Sequence, residues 1–173
     1  MKPLPADDYS RYKTTPVTHE SWNSRTKLVA RDVIKQLGKI LEPLDVDIRH
    51  MGSTALEIAG KNEIEVYIFP ASGDWETVFH RLRETYGDPG YTDQDFIRFD
   101  GQAGGFELEI IQLRGYVAKV NKALYQYLAD HPQLCQEYEA LKKRYSFSKR
   151  EYQIHKEQFF DRVVQQIPED YVT

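Results

Sequence analysis

The 173-residue chain has a formal net charge of -4, which gives no general pull toward nucleic acid or anionic membrane, so neither is an expected partner. Its one cysteine, Cys135, excludes an intrachain disulfide and a cysteine-rich zinc site, and reads as a structural thiol on a helix. No stretch approaches the ~20 apolar residues of a membrane span, and the first residues lack the apolar core of a signal peptide, so the chain reads as cytoplasmic.

The length predicts one domain over 1–173 with a sizeable core. Residues 1–16 are polar and punctuated by proline, as expected of an irregular arm. Trp22, Val29, Val33, Leu37 and Leu41 then recur at helical spacing, predicting a helix from Thr18 (or Ser21) as N-cap to about Glu42, where Pro43 stops it. Val46 to Met51 alternates and reads as a strand. A turn and short helical segment over 53–59 lead to a strand over 62–69, closed by Pro70. Trp75, Val78, Phe79 and Leu82 predict a helix over 74–86, followed by a loop at Gly87, Pro89 and Gly90. Phe96 to Phe99 and Phe106 to Ile111 read as strands of a hairpin, with a turn over 100–105. After Gly115 three helices are expected: one to about Asp130, one from Pro132 to about Tyr145, and one capped by Ser148 that reaches Gln166. The order implies an α+β fold: a mixed or antiparallel sheet with flanking helices and a C-terminal helical layer over 116–167.

The stretch Met51-Gly52-Ser53-Thr54 precedes an alternating run in which Glu63 and Glu65 share one strand face. Glu107 and Glu109 repeat the alternation on a later strand. The ordinary reading is the wet face of a half-exposed sheet. The chemical reading begins with the backbone N–H groups of the Gly-Ser turn, which cradle phosphate oxygens. Paired carboxylates on the next strand then hold a divalent metal that bridges the phosphates. An apolar residue, Gly, Gly or Ser, a spacer and an acidic–apolar–acidic strand resemble the nucleotidyltransferase superfamily pattern.

The run His50-Met51-Gly52-Ser53-Thr54-Ala55 further resembles the "HIGSTAV" signature of GrpB-like proteins. Lys61 to Ile68 resembles their "KPIIDI" strand, and Tyr127 to Pro132 their "DYLRxHP" segment. Tyr138 to Lys142 matches "YxxLK", and Tyr152 to Phe160, with Lys156, a final "Y-xxx-K-xx-F" helix. The resemblance spans about residues 46–165 and implies a nucleotidyltransferase-like fold. Departures are informative. Glu65 stands where the family has its single Asp, and Glu63 where it has an apolar residue. Glu57 and Ile58 replace the Pro-Gly of "STAVPGL", and Glu107-Leu108-Glu109 replaces "HLH". A site built on glutamates favours Mg²⁺, Mn²⁺ or Ca²⁺ over the transition metals that imidazoles take.

On the C-terminal helices, Tyr138 and Lys142 are four residues apart, as are Tyr152 and Lys156, so each pair shares a helix face. In a nucleotide site the lysines would neutralise phosphate and the tyrosines stack on a base or bond a phosphate. Outside one, the tyrosines pack in the core and the lysines snorkel outward. Lys61, between the turn and the acidic strand, is a further phosphate candidate. No Ser-His-Asp or Cys-His arrangement points to nucleophilic hydrolysis. The expected function is therefore transfer of a nucleoside monophosphate from an NTP to an acceptor, with Mg²⁺ or Mn²⁺. Glu63, Glu65, Glu107 and Glu109 are the catalytic and metal candidates, and Gly52, Ser53, Thr54, Lys61, Tyr138, Lys142, Tyr152 and Lys156 the nucleotide contacts. The alternatives are a protein that binds a nucleotide or phosphorylated metabolite without turning it over, and an interaction scaffold.

Overall fold

The computed structural model describes residues 1–5 and 8–171. The chain packs as two compact units, one of Asn23–Glu57 and Asn62–Ala118, the other of Met1–Trp22, Ile58–Lys61 and Lys119–Thr173.

The first unit holds a five-stranded mixed sheet in the order β1-β2-β5-β4-β3. Its strands are β1 (Val46–Met51), β2 (Ile64–Pro70), β3 (Tyr91–Thr92), β4 (Phe96–Ala103) and β5 (Phe106–Leu113). β1 and β2 are antiparallel, β2 and β5 parallel, and β4 antiparallel to both β5 and β3. α1 (Arg25–Leu41) and α3 (Trp75–Tyr86) supply the apolar layer on one face. α1 buries Ala30, Val33, Leu37 and Leu41 at i, i+3 and i+4 spacing. α3 contributes Trp75, Val78 and Leu82. These meet Ile64, Val66 and Ile68 of β2, Leu108 and Ile110 of β5, and Ile97 and Phe99 of β4. A buried amide on that face, Gln112, donates from Nε2 to the Trp75 carbonyl at 2.7 Å.

Two boundaries correct the sequence reading. α1 begins at Arg25, not near Thr18 or Ser21. Asn23 Oδ1 accepts the Arg25 N–H at 3.0 Å, and the Thr26 hydroxyl donates to the Asn23 carbonyl at 2.7 Å. These local side-chain bonds start the helix there, while Glu20 upstream is extended and exchanges two backbone bonds with Gly60. The second correction is the hairpin turn. β4 and β5 continue to Ala103 and resume at Phe106, so the loop is only Gly104-Gly105, both at positive φ (58° and 86°). Two left-handed residues are what a tight hairpin of this twist requires.

The second unit is helical. α4 (Gly115–Asp130) enters it at Lys119, and α5 (Pro132–Arg144) and α6 (Lys149–Gln166) follow. Val120 and Ala123 pack with Val164 and Ile167, joined by Met1 and Leu4. Pro132 occupies the first turn of α5. Ser148 caps α6, accepting the Glu151 N–H. The lead-in is tied down: the Lys149 and Arg150 N–H groups donate to the carbonyls of Thr15 and Lys13, and Arg150 Nε to that of Tyr12. Tyr9–Arg11 forms a 3-10 turn, and the Tyr9 hydroxyl donates to Glu157. Among the described residues, no helix is long and apolar enough to cross a membrane.

Candidate functional site

Strand alternation sorts the glutamates. Ile64, Val66, Leu108 and Ile110 face the helices, so Glu65 and Glu109 lie on the opposite face of the sheet. They are direct partners in the parallel β2–β5 register, one strand spacing apart. Glu109 also faces Asp100 across β4. Three carboxylates thus occupy one row over three strands, and sequence reading missed the third. The alternation Phe96-Ile97-Arg98-Phe99-Asp100 was the available signal. Arg98, from the same face, reaches Asp100 at 2.8 Å and Glu109 at 3.5 Å.

Glu107 is exposed near the hairpin turn, with Gln102 as its partner. Glu63 precedes the first residue of β2, at the same end of the sheet. Of the pair on β5, Glu109 is therefore the one that stands beside Glu65. Among the described residues, no group of three or more His, Cys, Asp or Glu side chains lies close enough to hold a metal. Of the four glutamates, Glu65 and Glu109 are the two that strand register makes direct partners.

The Gly-Ser turn opens α2 (Gly52–Ala55), directly after β1. Gly52 has φ 74°, a region open to glycine at little cost. A Cβ there would overlap the Glu65 carboxylate, which rests against the Gly52 backbone. Turn and acidic strand therefore form one physical unit. Thr54 is buried, and its hydroxyl donates to the Glu63 carbonyl at 2.9 Å. That hydroxyl has one hydrogen, so His50 Nε2, 2.9 Å from Thr54 Oγ1, must donate to it. Burial, and secondarily Lys27, push the His50 pKa down to about 4, so the imidazole is neutral with its proton on Nε2. Thr54 pins the turn to β2 through its side chain, and Ser53 is half-buried beside it. Glu57, in the left-handed region at φ 61°, pairs with Lys27.

The helical unit gathers the other candidates. Lys142 is 3% exposed. Its ammonium lies where a Cβ on Gly60 would stand and is 5.2 Å from the Tyr138 ring centroid. Tyr138 stacks on Phe159 at 5.4 Å between centroids. Tyr152 is buried too, and its phenol is raised well above the ordinary range, first by burial and then by Tyr138. Lys156 and Lys61 act on Tyr152 in the opposite sense, so both lie within electrostatic reach of it. The Lys156 ammonium is 5.7 Å from the Phe160 ring centroid, and Lys61 is exposed. Lys61, Tyr138, Lys142, Tyr152 and Lys156 therefore form one cluster, with the tyrosines inside it and Lys61 at its surface.

A family model described as "GrpB protein" matches residues 16–166. No curated protein matches the sequence. Among solved structures, one titled for the structural plasticity of Cid1 and its RNA terminal uridylyl transferase activity matches with TM-score 0.50 and 12% identity over 71% of this chain and 40% of that one. A Cid1 poly(U) polymerase structure bound to MgGTP matches with TM-score 0.49 and 14% identity over 71% and 42%. A cytoplasmic RNA terminal U-transferase matches with TM-score 0.47 and 15% identity over 78% and 42%. The chain spans roughly two fifths of the length of these structures. The likeness is one of fold, and the fold is nucleotidyltransferase-like.

Proposed function

The chain belongs to the GrpB family, and on that premise we propose that it is a metal-dependent nucleotidyltransferase-like protein, which transfers a nucleoside monophosphate from an NTP to an acceptor. In that reaction the acceptor oxygen bonds to the α-phosphorus and pyrophosphate leaves. The observation that carries the reading is the seating of the Glu65 carboxylate on Gly52, with Glu109 as its partner in register. It supports treating the Gly-Ser turn and the acidic strand as one site rather than two coincidences of sequence.

The donors are all oxygen, which suits Mg²⁺ or Mn²⁺, and Mg²⁺ usually takes one or two carboxylates together with substrate phosphates. Glu65 and Glu109 would hold it, with Glu63 and Glu107 at the same end of the sheet. The cation would offset the triphosphate's negative charge. Gly52, Ser53 and Thr54 would orient the phosphates; in the helical unit, Lys61, Lys142 and Lys156 are the separate phosphate-contact candidates. Tyr138 and Tyr152, being buried, would act by holding the lysines in place. The substrate is a nucleotide or another phosphorylated small molecule.

A second reading is favoured by the lack, among the described residues, of a third convergent ligand. In it the same residues bind a nucleotide without turning it over. Titration calorimetry with each of the four NTPs in Mg²⁺ and then Mn²⁺, together with a pyrophosphate assay, separates the two. Saturable binding with pyrophosphate release that Glu65→Gln abolishes is expected. Binding without release selects the second reading, and no saturable binding of any NTP sinks both.

A further inference from the structure

Gln136, Glu139 and Lys143 are spaced by three and four residues on α5, so they share one helix face. With His19, Ser21 and Ala59 they line an open cavity of about 480 Å³, a size ordinary for a small-molecule site. All six belong to the helical unit, and none is a residue assigned above to nucleotide or metal.

Four polar side chains of the lining are unspent. Among the described residues, the side chains of His19, Gln136, Glu139 and Lys143 make no hydrogen bond and no ion pair. Glu139 lies four residues before Lys143, the order that favours a helical ion pair, yet the two do not pair. Burial, then Lys142, lowers the His19 pKa, so its imidazole is neutral at pH 7 and offers one donor and one acceptor. The cavity thus presents one anion, one cation and neutral hydrogen-bonding groups. A polyphosphate would be repelled by Glu139, and a polyamine by Lys143. A molecule carrying one charge of each sign satisfies both. Four residues of helix rise about 6 Å, which matches the separation of the amine and carboxylate in an extended dipeptide better than that in a single α-amino acid.

We propose that this cavity binds a small zwitterion of about dipeptide length, with its amine toward Glu139, its carboxylate toward Lys143, and its amide toward Gln136. The site is independent of the nucleotide reading, and either can fail alone. The test follows backbone amide shifts of the ¹⁵N-labelled full chain during titration with glycylglycine, its N-acetyl derivative and its C-terminal amide. Glycylglycine is expected to give saturable shifts around α5 and Ala59, with each blocked form about tenfold weaker or worse, equivalent to about 1.4 kcal/mol. Glu139→Gln should bring the acetylated form level with the parent, and Lys143→Gln should do the same for the amide. No saturable shift with glycylglycine, shifts confined to other residues, or equal affinity for all three compounds would overturn the proposal.

Discussion

At Gly52 a single added methyl group would meet two obstacles. The backbone is at φ 74°, where a side chain costs about 1–2 kcal/mol, and the Glu65 carboxylate fills the space. Gly52→Ala is expected to lower stability by about 2 kcal/mol or more and to displace Glu65; denaturant unfolding and Mg²⁺-nucleotide titration would read the two effects separately. His50 offers a different handle. Its folded pKa, about 4 against the ordinary 6.5 of a histidine, means that the unfolded chain binds a proton the folded one refuses between those values. Stability therefore rises with pH across that window, and acidification from pH 6.5 to 4 should remove on the order of 1–2 kcal/mol. His50→Gln keeps an N–H for Thr54 and should flatten that part of the profile, checked by urea midpoints at each pH. At this scale the sequence was legible where chemistry is local: Gly52, Glu65 and Lys142 are singled out by motif. It was silent where chemistry is tertiary, as in the burial of the Lys142 ammonium against Gly60.

Among elements, α6 shows how far local signals reach. Ser148 and Glu151 have capping-box spacing, and Ser148 is the observed N-cap, 5% exposed. Ser148→Ala should cost about 1 kcal/mol, seen as a lower thermal midpoint with helicity lost mainly from the first turn of α6. Pro132 announced α5 in the same way. Both signals act within one turn of chain, so sequence suffices to read them. The start of α1 was misread because Glu20 pairs with Gly60, forty residues on, and no local pattern announces that bridge. β3 went unread because two residues, Tyr91 and Thr92, carry no periodicity; they are a strand only by pairing with Arg98 and Ile97.

For the molecule as a whole, the α+β class followed from the order of periodic segments, which left the sheet mixed or antiparallel and did not give the strand order. Nothing in the alternation of Glu107 and Glu109 reveals that β5 inserts beside β2 rather than extending a meander. That placement decides which glutamate stands beside Glu65. It also fixes when the pair can exist. Glu65 and Glu109 are neighbours in space, yet α3, β3 and β4 all lie between them in the chain, and contacts so distant in sequence carry a loop-closure cost before they return any stability. During synthesis from the N-terminus, the Gly-Ser turn and Glu65 emerge well before their acidic partner. A nascent chain stopped short of β5 would carry the Gly-Ser turn and Glu65 and lack Glu109, the strand partner of Glu65.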